Sequence, residues 1–279
     1  MSAWLPVAPC TPGDCAYHED AVRPPLAAAA LLAAGCAVTL LGALCAPAAL
    51  LLRQAHRDRL IRGWARAVVR AFGVRLRVTG AAVPSARPSA GELVVANHVS
   101  WLDVPLLAAV LPARMLAKSE IRSWPVLGAV AALAGTLFIE RDRLRALPDT
   151  VRTLAGALGA GSRVAVFPQG STWCGRGAGG RFRPAAFQAA LDAGAVVRPV
   201  RIGYRTPRSD AAGAVAFVGD DPLAASLWRV VSAAGLTAEI HVLPQVSAVG
   251  EPDRRALARR AQSAVANESA NLPPSSVHH

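Results

Sequence analysis

A chain of 279 residues is long enough for one α/β domain with a full core and a further segment beside it. Its formal net charge of +12 suggests nucleic acid, but there is no zinc-finger spacing, no recognition-helix pattern and little aromatic stacking surface, which argues against that class. Five cysteines with no C-x-x-C pair and no His-rich cluster speak against a disulfide framework and a structural zinc.

Residues 1–25 are Pro-rich and polar, without periodicity, and are expected to be mobile. Cys10 and Cys15 lie here and are the only pair that could bond, were the tail outside the cytoplasm, but a disulfide is not expected; Cys174 stands alone downstream. From Leu26 to Leu52 runs an uncharged stretch of 27 residues, more than the roughly 20 needed to cross a bilayer core. Acidic residues precede it, so it does not read as a cleaved signal. Arginines crowd the far side, from Arg53 to Arg87, against the single acid Asp58. By the positive-inside rule this places the rest of the chain at the cytoplasmic face of an inner membrane, with anionic head groups accounting for the basic surplus. Pro47 leaves two options open, a helix that spans the bilayer and one that dips into a leaflet and returns.

Over residues 54–72, Leu60, Ile61, Trp64, Val68 and Phe72 share one helical face and Arg59, Arg62, Arg66 and Arg70 the other. This is the pattern of an interfacial helix with Trp64 as head-group anchor, and equally of a surface helix packed on the domain. Residues 26–73 thus form a membrane-anchoring segment. From residue 74 to 267 strands and helices alternate. Strands are expected at "VRLRVTG", "ELVVANH", "RMLAK", "GTLFIE", "RVAVF", "AVVRPVRIGY", "AVAFVG" and "AEIHVLP", and helices near 103–110, 125–134, 143–159, 184–193, 222–234 and 252–266. The fold class is therefore α/β, a mixed, largely parallel sheet covered by helices and preceded by the membrane-associated helical segment. Residues 268–279 read as a disordered tail.

Four short segments fall at strand ends, where open α/β sheets place ligands. The first, Asn97 to Asp103, sets His98 five positions before an aspartate. It reads either as a core histidine beside a helix cap or as a base whose tautomer a carboxylate fixes. The second is "GTLFIERDR", the third "VAVFPQGSTWCGRGAGGRF" with its small-residue loop, and the fourth "VVRPVRIGY", a strand broken by Pro199.

In this order and spacing the segments resemble the blocks of the glycerolipid acyltransferases: Asn97–Asp103, Phe138–Arg141, Phe167–Gly170 and Val197–Val200. The resemblance covers about residues 60–245. It implies His98 as general base and Asp103 as its orienting partner. It further implies Asn97, Lys118, Phe138, Arg141, Gln169, Gly170, Ser171 and Pro199 as substrate-binding residues, with no metal and no cofactor. Acyl-CoA or acyl-carrier protein is the expected donor, a lysolipid the acceptor, and membrane lipids the surroundings. Lys118 is the single lysine among 30 basic side chains, at a place where the family has a lysine near the acceptor phosphate. Two departures stand out. Gln169 replaces the family glutamate, and Thr172 stands where many members carry an arginine, a role left to Arg176, Arg181 or Arg183. First-choice acceptor is 1-acyl-sn-glycerol-3-phosphate; the departures make a lyso-ornithine-type aminolipid the alternative, or a non-catalytic membrane-binding member of the fold. A hydrolase using Ser100 or Ser171 lacks the G-x-S-x-G elbow.

Overall fold

The computed structural model describes residues 8–17, 21–81, 91–124, 127–140, 143–177, 179–209 and 213–270. The first half of the chain forms α1 (Pro12–Cys15), α2 (Pro25–Ala49), α3 (Gln54–Ala71), β1 (Arg75–Gly80), β2 (Glu92–Ala96), α4 (Asp103–Val110), β3 (Arg114–Lys118), α5 (Leu127–Leu133) and β4 (Leu137–Ile139). The second half forms α6 (Leu147–Gly159), β5 (Arg163–Val166), α7 (Ala185–Asp192), β6 (Val196–Arg205), α8 (Leu223–Ser232), β7 (Thr237–Val242), β8 (Val246–Ser247) and α9 (Arg254–Ala270).

The strands lie in the order β1-β7-β6-β2-β5-β3-β4, with β8 beside β6. β6, β2, β5, β3 and β4 are mutually parallel; β7 runs antiparallel to β6, and β1 parallel to β7. A central parallel strand is covered on both faces, which is why β2 reads as an unbroken apolar run after its first residue and is buried throughout. Val94 and Ala96 face one core with Val68, Val69, Leu102 and Leu106; Leu93 and Val95 face the other with Leu154, Phe187 and Leu257. The N-terminal end of β2 holds a buried ion cluster. Glu92 bonds to Arg163 and Arg198 and accepts from Gln245 Nε2 at 3.0 Å. Burial raises the Glu92 pKa, but the Arg163 charge and the three side-chain hydrogen bonds outweigh it and leave it below the usual carboxylate value.

α2 and α3 form an antiparallel hairpin, since Gly35 meets Phe72 and Gly42 meets Trp64. The glycines set this close approach: a Cβ at Gly42 would come within 1.9 Å of the Trp64 indole nitrogen. That nitrogen donates to Val38 O at 2.9 Å. Trp64 is therefore a seam residue of the hairpin, which favours the packed helix of the two readings its spacing left open. At the hairpin's open end, where its two termini meet, Arg23 donates to Gly73 O at 2.9 Å and to the carbonyls of Val231 and Ala233. Toward the turn that closes the hairpin the apolar side chains of Leu40, Leu41, Leu44 and Leu50–Leu52 are exposed.

Two further expectations are corrected. The apolar run Ala214–Gly219 is not a strand. It begins in a 3-10 turn, Gly213–Val215, and is buried because it passes beneath the His98 loop, where Phe217 N donates to Val99 O at 3.1 Å. The segment expected to be mobile is packed over its described part. Thr11 caps α1, Arg23 N donates to Ser232 O at 2.8 Å, and Arg176 reaches the carbonyls of Asp14 and Tyr17. At the other end, α9 continues to Ala270, and residues 271–279 lie outside the described part.

Candidate active site

β2 ends at Ala96, and the next side chain does the work of a ladder. Asn97 donates to Ile202 O and accepts from Ile202 N, both at 2.8 Å. Its amide, expected to bind substrate, is taken up in holding β2 to β6 while the main chain turns away. The turn brings His98 Nδ1 to 2.7 Å from Asp103 Oδ2, and the same oxygen accepts from Val99 N at 2.7 Å and Ser100 N at 2.9 Å. The one carboxylate therefore serves both the main chain of the turn and the imidazole. Asp103 ties down the turn that opens α4, and it fixes the imidazole. Its other oxygen accepts from the Tyr204 hydroxyl. Burial first, and the Asp103 charge second, push the Tyr204 pKa well above its ordinary value, so the phenol keeps its proton and donates.

A carboxylate only accepts, so the bond puts a proton on His98 Nδ1, and in a neutral imidazole the lone pair then belongs to Nε2. The carboxylate is wholly buried, whereas the imidazole side chain is 20% exposed. The ring stacks on Phe167 with centroids 3.9 Å apart and planes 8° from parallel. Its main chain is held from both sides: His98 N donates to Gln169 Oε1, and Trp173 N donates to His98 O, each at 2.8 Å.

The third segment follows β5 as a tight turn, with Gly170 N donating to Phe167 O at 3.1 Å. Pro168 suits the second position of such a turn, and Gly170, at φ 79°, takes a conformation that other residues resist. Gln169 is buried, and its Nε2 donates to Gly180 O at 3.3 Å. A glutamate there could not make that bond. Among the described residues, Ser171 Oγ and Trp173 Nε1 are buried without a hydrogen-bond partner. Native interiors rarely leave such atoms unpaired, and these two sit on the loop that grips His98.

The remaining residues distribute unevenly. Lys118 is exposed at the end of β3, where it pairs with Ile139, and Phe138 pairs with Ala117 one position earlier, with the Arg122 guanidinium 5.9 Å from the Phe138 ring centroid. Both are at the C-terminal edge of the parallel strands, as His98 and Phe167 are. Arg141 lies outside the described residues. Pro199 is not at this edge. It pairs with Val95 inside the sheet, where the partner of β6 changes from β8 to β7, so its missing N–H interrupts no ladder. Of the arginines offered in place of Thr172, Arg176 faces the N-terminal segment, while Arg181 and Arg183 are exposed. Ser100 is fully buried and its hydroxyl accepts from Leu102 N at 3.4 Å, so it is not presented as a nucleophile. Tyr204 and Trp173 went unremarked in the sequence because neither has a local signal that points to His98. Trp101 links the site to the hairpin: it packs edge-on against Phe72 at 5.2 Å and donates to Ser226 Oγ at 3.2 Å.

Residues 75–203 match the family model described as Acyltransferase. The chain is 39% identical to the lyso-ornithine lipid O-acyltransferase of Pseudomonas aeruginosa, over 75% of this chain and 78% of that protein. It is 37% identical to the 1-acyl-sn-glycerol-3-phosphate acyltransferase of Neisseria meningitidis serogroup B, over 75% of this chain and 80% of that protein. The crystal structure of the 1-acyl-sn-glycerophosphate (LPA) acyltransferase PlsC from Thermotoga maritima shares the fold, with a TM-score of 0.69 and 19% identity over 90% of this chain and 97% of that one. With this likeness in sequence and fold, the chain belongs to the acyltransferase family.

Proposed function

We propose that the protein moves a fatty acyl group from an acyl thioester to the free hydroxyl of a lysolipid, with 1-acyl-sn-glycerol-3-phosphate as acceptor. The observation that carries this reading is the His98–Asp103 pair, its carboxylate wholly buried and its imidazole 20% exposed. His98 Nε2 takes the acceptor's hydroxyl proton as the oxygen attacks the thioester carbonyl. The C–S bond then breaks, and the thiolate leaves with the proton from Nε2. Asp103 holds the tautomer and offsets the imidazolium charge between the two steps. Ser171 Oγ and Trp173 Nε1 contact the substrates, and Lys118 and Arg141 serve the acceptor's anionic group. Asn97 and Gln169 position the His98 loop. The donor is acyl-CoA or acyl-carrier protein, without a further cofactor.

A lyso-ornithine lipid is the second reading, favoured by Gln169 and by the lack of a basic side chain at Thr172. The test supplies membranes bearing the protein with labelled acyl-CoA or acyl-carrier protein and each acceptor in turn. The expected result is phosphatidic acid formation that His98→Ala abolishes. Product from the lyso-ornithine lipid alone moves the substrate and keeps the mechanism. Transfer that survives His98→Ala sinks the mechanism.

The hairpin supports a place at the inner membrane. α2 is about 37 Å long, has a mean hydropathy of 2.2 over its best window and is little buried. Because Arg23 and Gly73 meet at one end, the tail and the catalytic domain lie on the same side of any membrane the hairpin enters. This favours a hairpin that dips into one leaflet over a single span, with the domain on the cytoplasmic face. Leu41→Asp with Leu44→Asp should shift the protein out of the membrane fraction, each change costing about 3 kcal/mol of insertion. An amino-terminal tag protected from a protease that reaches the domain would overturn the same-side arrangement.

A further inference from the structure

Behind the loop that grips His98, the fold collects three thiols that the sequence keeps apart. The sulfurs of Cys10, Cys15 and Cys174 all lie within 4.8 Å of one another. Cys10 and Cys15 bracket α1, whose turn is closed by Cys15 N donating to Thr11 O at 3.0 Å. Cys174 is buried on the loop after the Phe167–Gly170 turn, directly following Trp173. None of the three is in a disulfide. A disulfide uses two sulfurs and leaves the third, whereas a metal ion uses all three.

We propose that Cys10, Cys15 and Cys174 form a thiolate site for a thiophilic cation, zinc, which staples the N-terminal segment to the loop beside His98. Zinc–sulfur bonds of about 2.3 Å in a tetrahedron set sulfurs about 3.8 Å apart, a small contraction from the spacing seen. Soft thiolate donors select zinc over calcium or magnesium. Binding releases one proton from each thiol and leaves the fourth position to water. Three thiolates and one zinc carry a net charge of −1, and Arg176 stands against this cluster, spanning from the Cys174 loop to the carbonyls of Asp14 and Tyr17. The packing is close enough to hold the segment in register, because Gly219 lies against Pro12 and the Cys10 carbonyl. The absence of a C-x-x-C pair argued against zinc in the sequence. That argument covers ligands close in the chain and misses a third that the fold supplies from afar.

The site touches function through one bond. Trp173 N holds the His98 carbonyl at 2.8 Å, and Cys174 is the next residue, so the staple limits the motion of the loop that carries Gln169, Ser171 and Trp173. The inference does not depend on which acceptor the enzyme uses.

The test uses the full chain in detergent, stripped with a chelator under reductant, returned to zinc and freed of excess. Metal analysis should give about one zinc per chain for the native protein and for Cys36→Ser, and less than one tenth of that for Cys15→Ser and Cys174→Ser. Cobalt in place of zinc should give a thiolate charge-transfer band that the same two variants lose. A second readout needs no variant: zinc should protect Cys10, Cys15 and Cys174 from alkylation at least tenfold while Cys36 and Cys45 react as before. The proposal is overturned if zinc is not retained or if Cys174→Ser keeps it. Recovery of a Cys10–Cys15 disulfide from cells lysed into alkylating agent would overturn it as well.

Discussion

Strand β2 ends in a polar network at each extremity, and the two are built to opposite rules. At its start, Glu92 is fully buried and its two oxygens are shared among Arg163, Arg198 and Gln245, which join β2, β5, β6 and the segment before β8. At its end, Asp103 is as deeply buried and as fully bonded, but among the described residues the chain of contacts stops at the imidazole of His98. Beside it are two orphaned polar atoms on the Ser171–Trp173 loop. A closed network adds order to a fold and asks nothing of a ligand, whereas an open one keeps hydrogen-bonding capacity in reserve. The difference separates scaffold from site on a single strand.

The sharpest way to break the comparison is at the open end. His98→Ala should lower transfer by about 10³-fold or more, in the range of a lost general base, with a melting temperature within a few degrees of the native protein. Measured initial rates and a thermal scan on the same samples decide it. A variant that unfolds in step with its loss of activity would show that His98 is scaffold after all.

At the closed end the order reverses. Glu92→Gln leaves two buried guanidinium groups without their charge partner and should cost about 3–5 kcal/mol of stability, the usual penalty for breaking a buried pair. Urea denaturation reads this directly. Whatever remains folded should retain its affinity for substrates, because the His98 edge lies at the opposite end of the strand.

Acid offers a gentler version of the same test. Glu92 has a folded-state pKa held below its unfolded value, so its contribution is present at neutral pH and is lost as pH falls through the folded value. Native stability should therefore decline on the acid side by more than in Glu92→Gln, whose curve lacks this component. Parallel slopes for the two proteins below pH 5 would show that the cluster does not set acid tolerance.

How much of this was legible beforehand depends on the range of the contact. β2 and α4 were placed correctly from a short apolar run and an aspartate at a helix start, both local signals. His98 and Asp103 are five residues apart, so their meeting was readable from spacing. Periodicity identifies the apolar face that holds Trp64 without naming what covers it, so its partner Gly42, on another helix, is not legible in the sequence. Ala214–Gly219 was misread because burial without a ladder looks like a strand in sequence. Tyr204 reaches Asp103 from β6, and Cys174 reaches Cys10 and Cys15 across the whole domain. Nothing local marks either. Gln169 was noticed as a departure, but that its extra donor would clamp Gly180 O follows only from the folded loop.

Tyr204 gives the smallest predicted effect and tests whether the two networks differ in kind. Its hydroxyl touches Asp103 and not the substrate, so it is a positioning residue. Phenylalanine keeps the ring in the core and removes one donor from the carboxylate, worth about 1.5–3 kcal/mol for a bond to a charged group. If part of that is expressed in how well Asp103 holds the imidazole, kcat should fall about tenfold while KM stays within about twofold. Because burial keeps the phenol protonated above the ordinary tyrosine range, Tyr204 does not titrate in the working range. The alkaline limb of the pH–rate profile should then be the same in Tyr204→Phe as in the native enzyme. A variant that loses that limb would make Tyr204 a titrating member of the site, and the open network would extend one residue deeper than the geometry of His98 and Asp103 indicates.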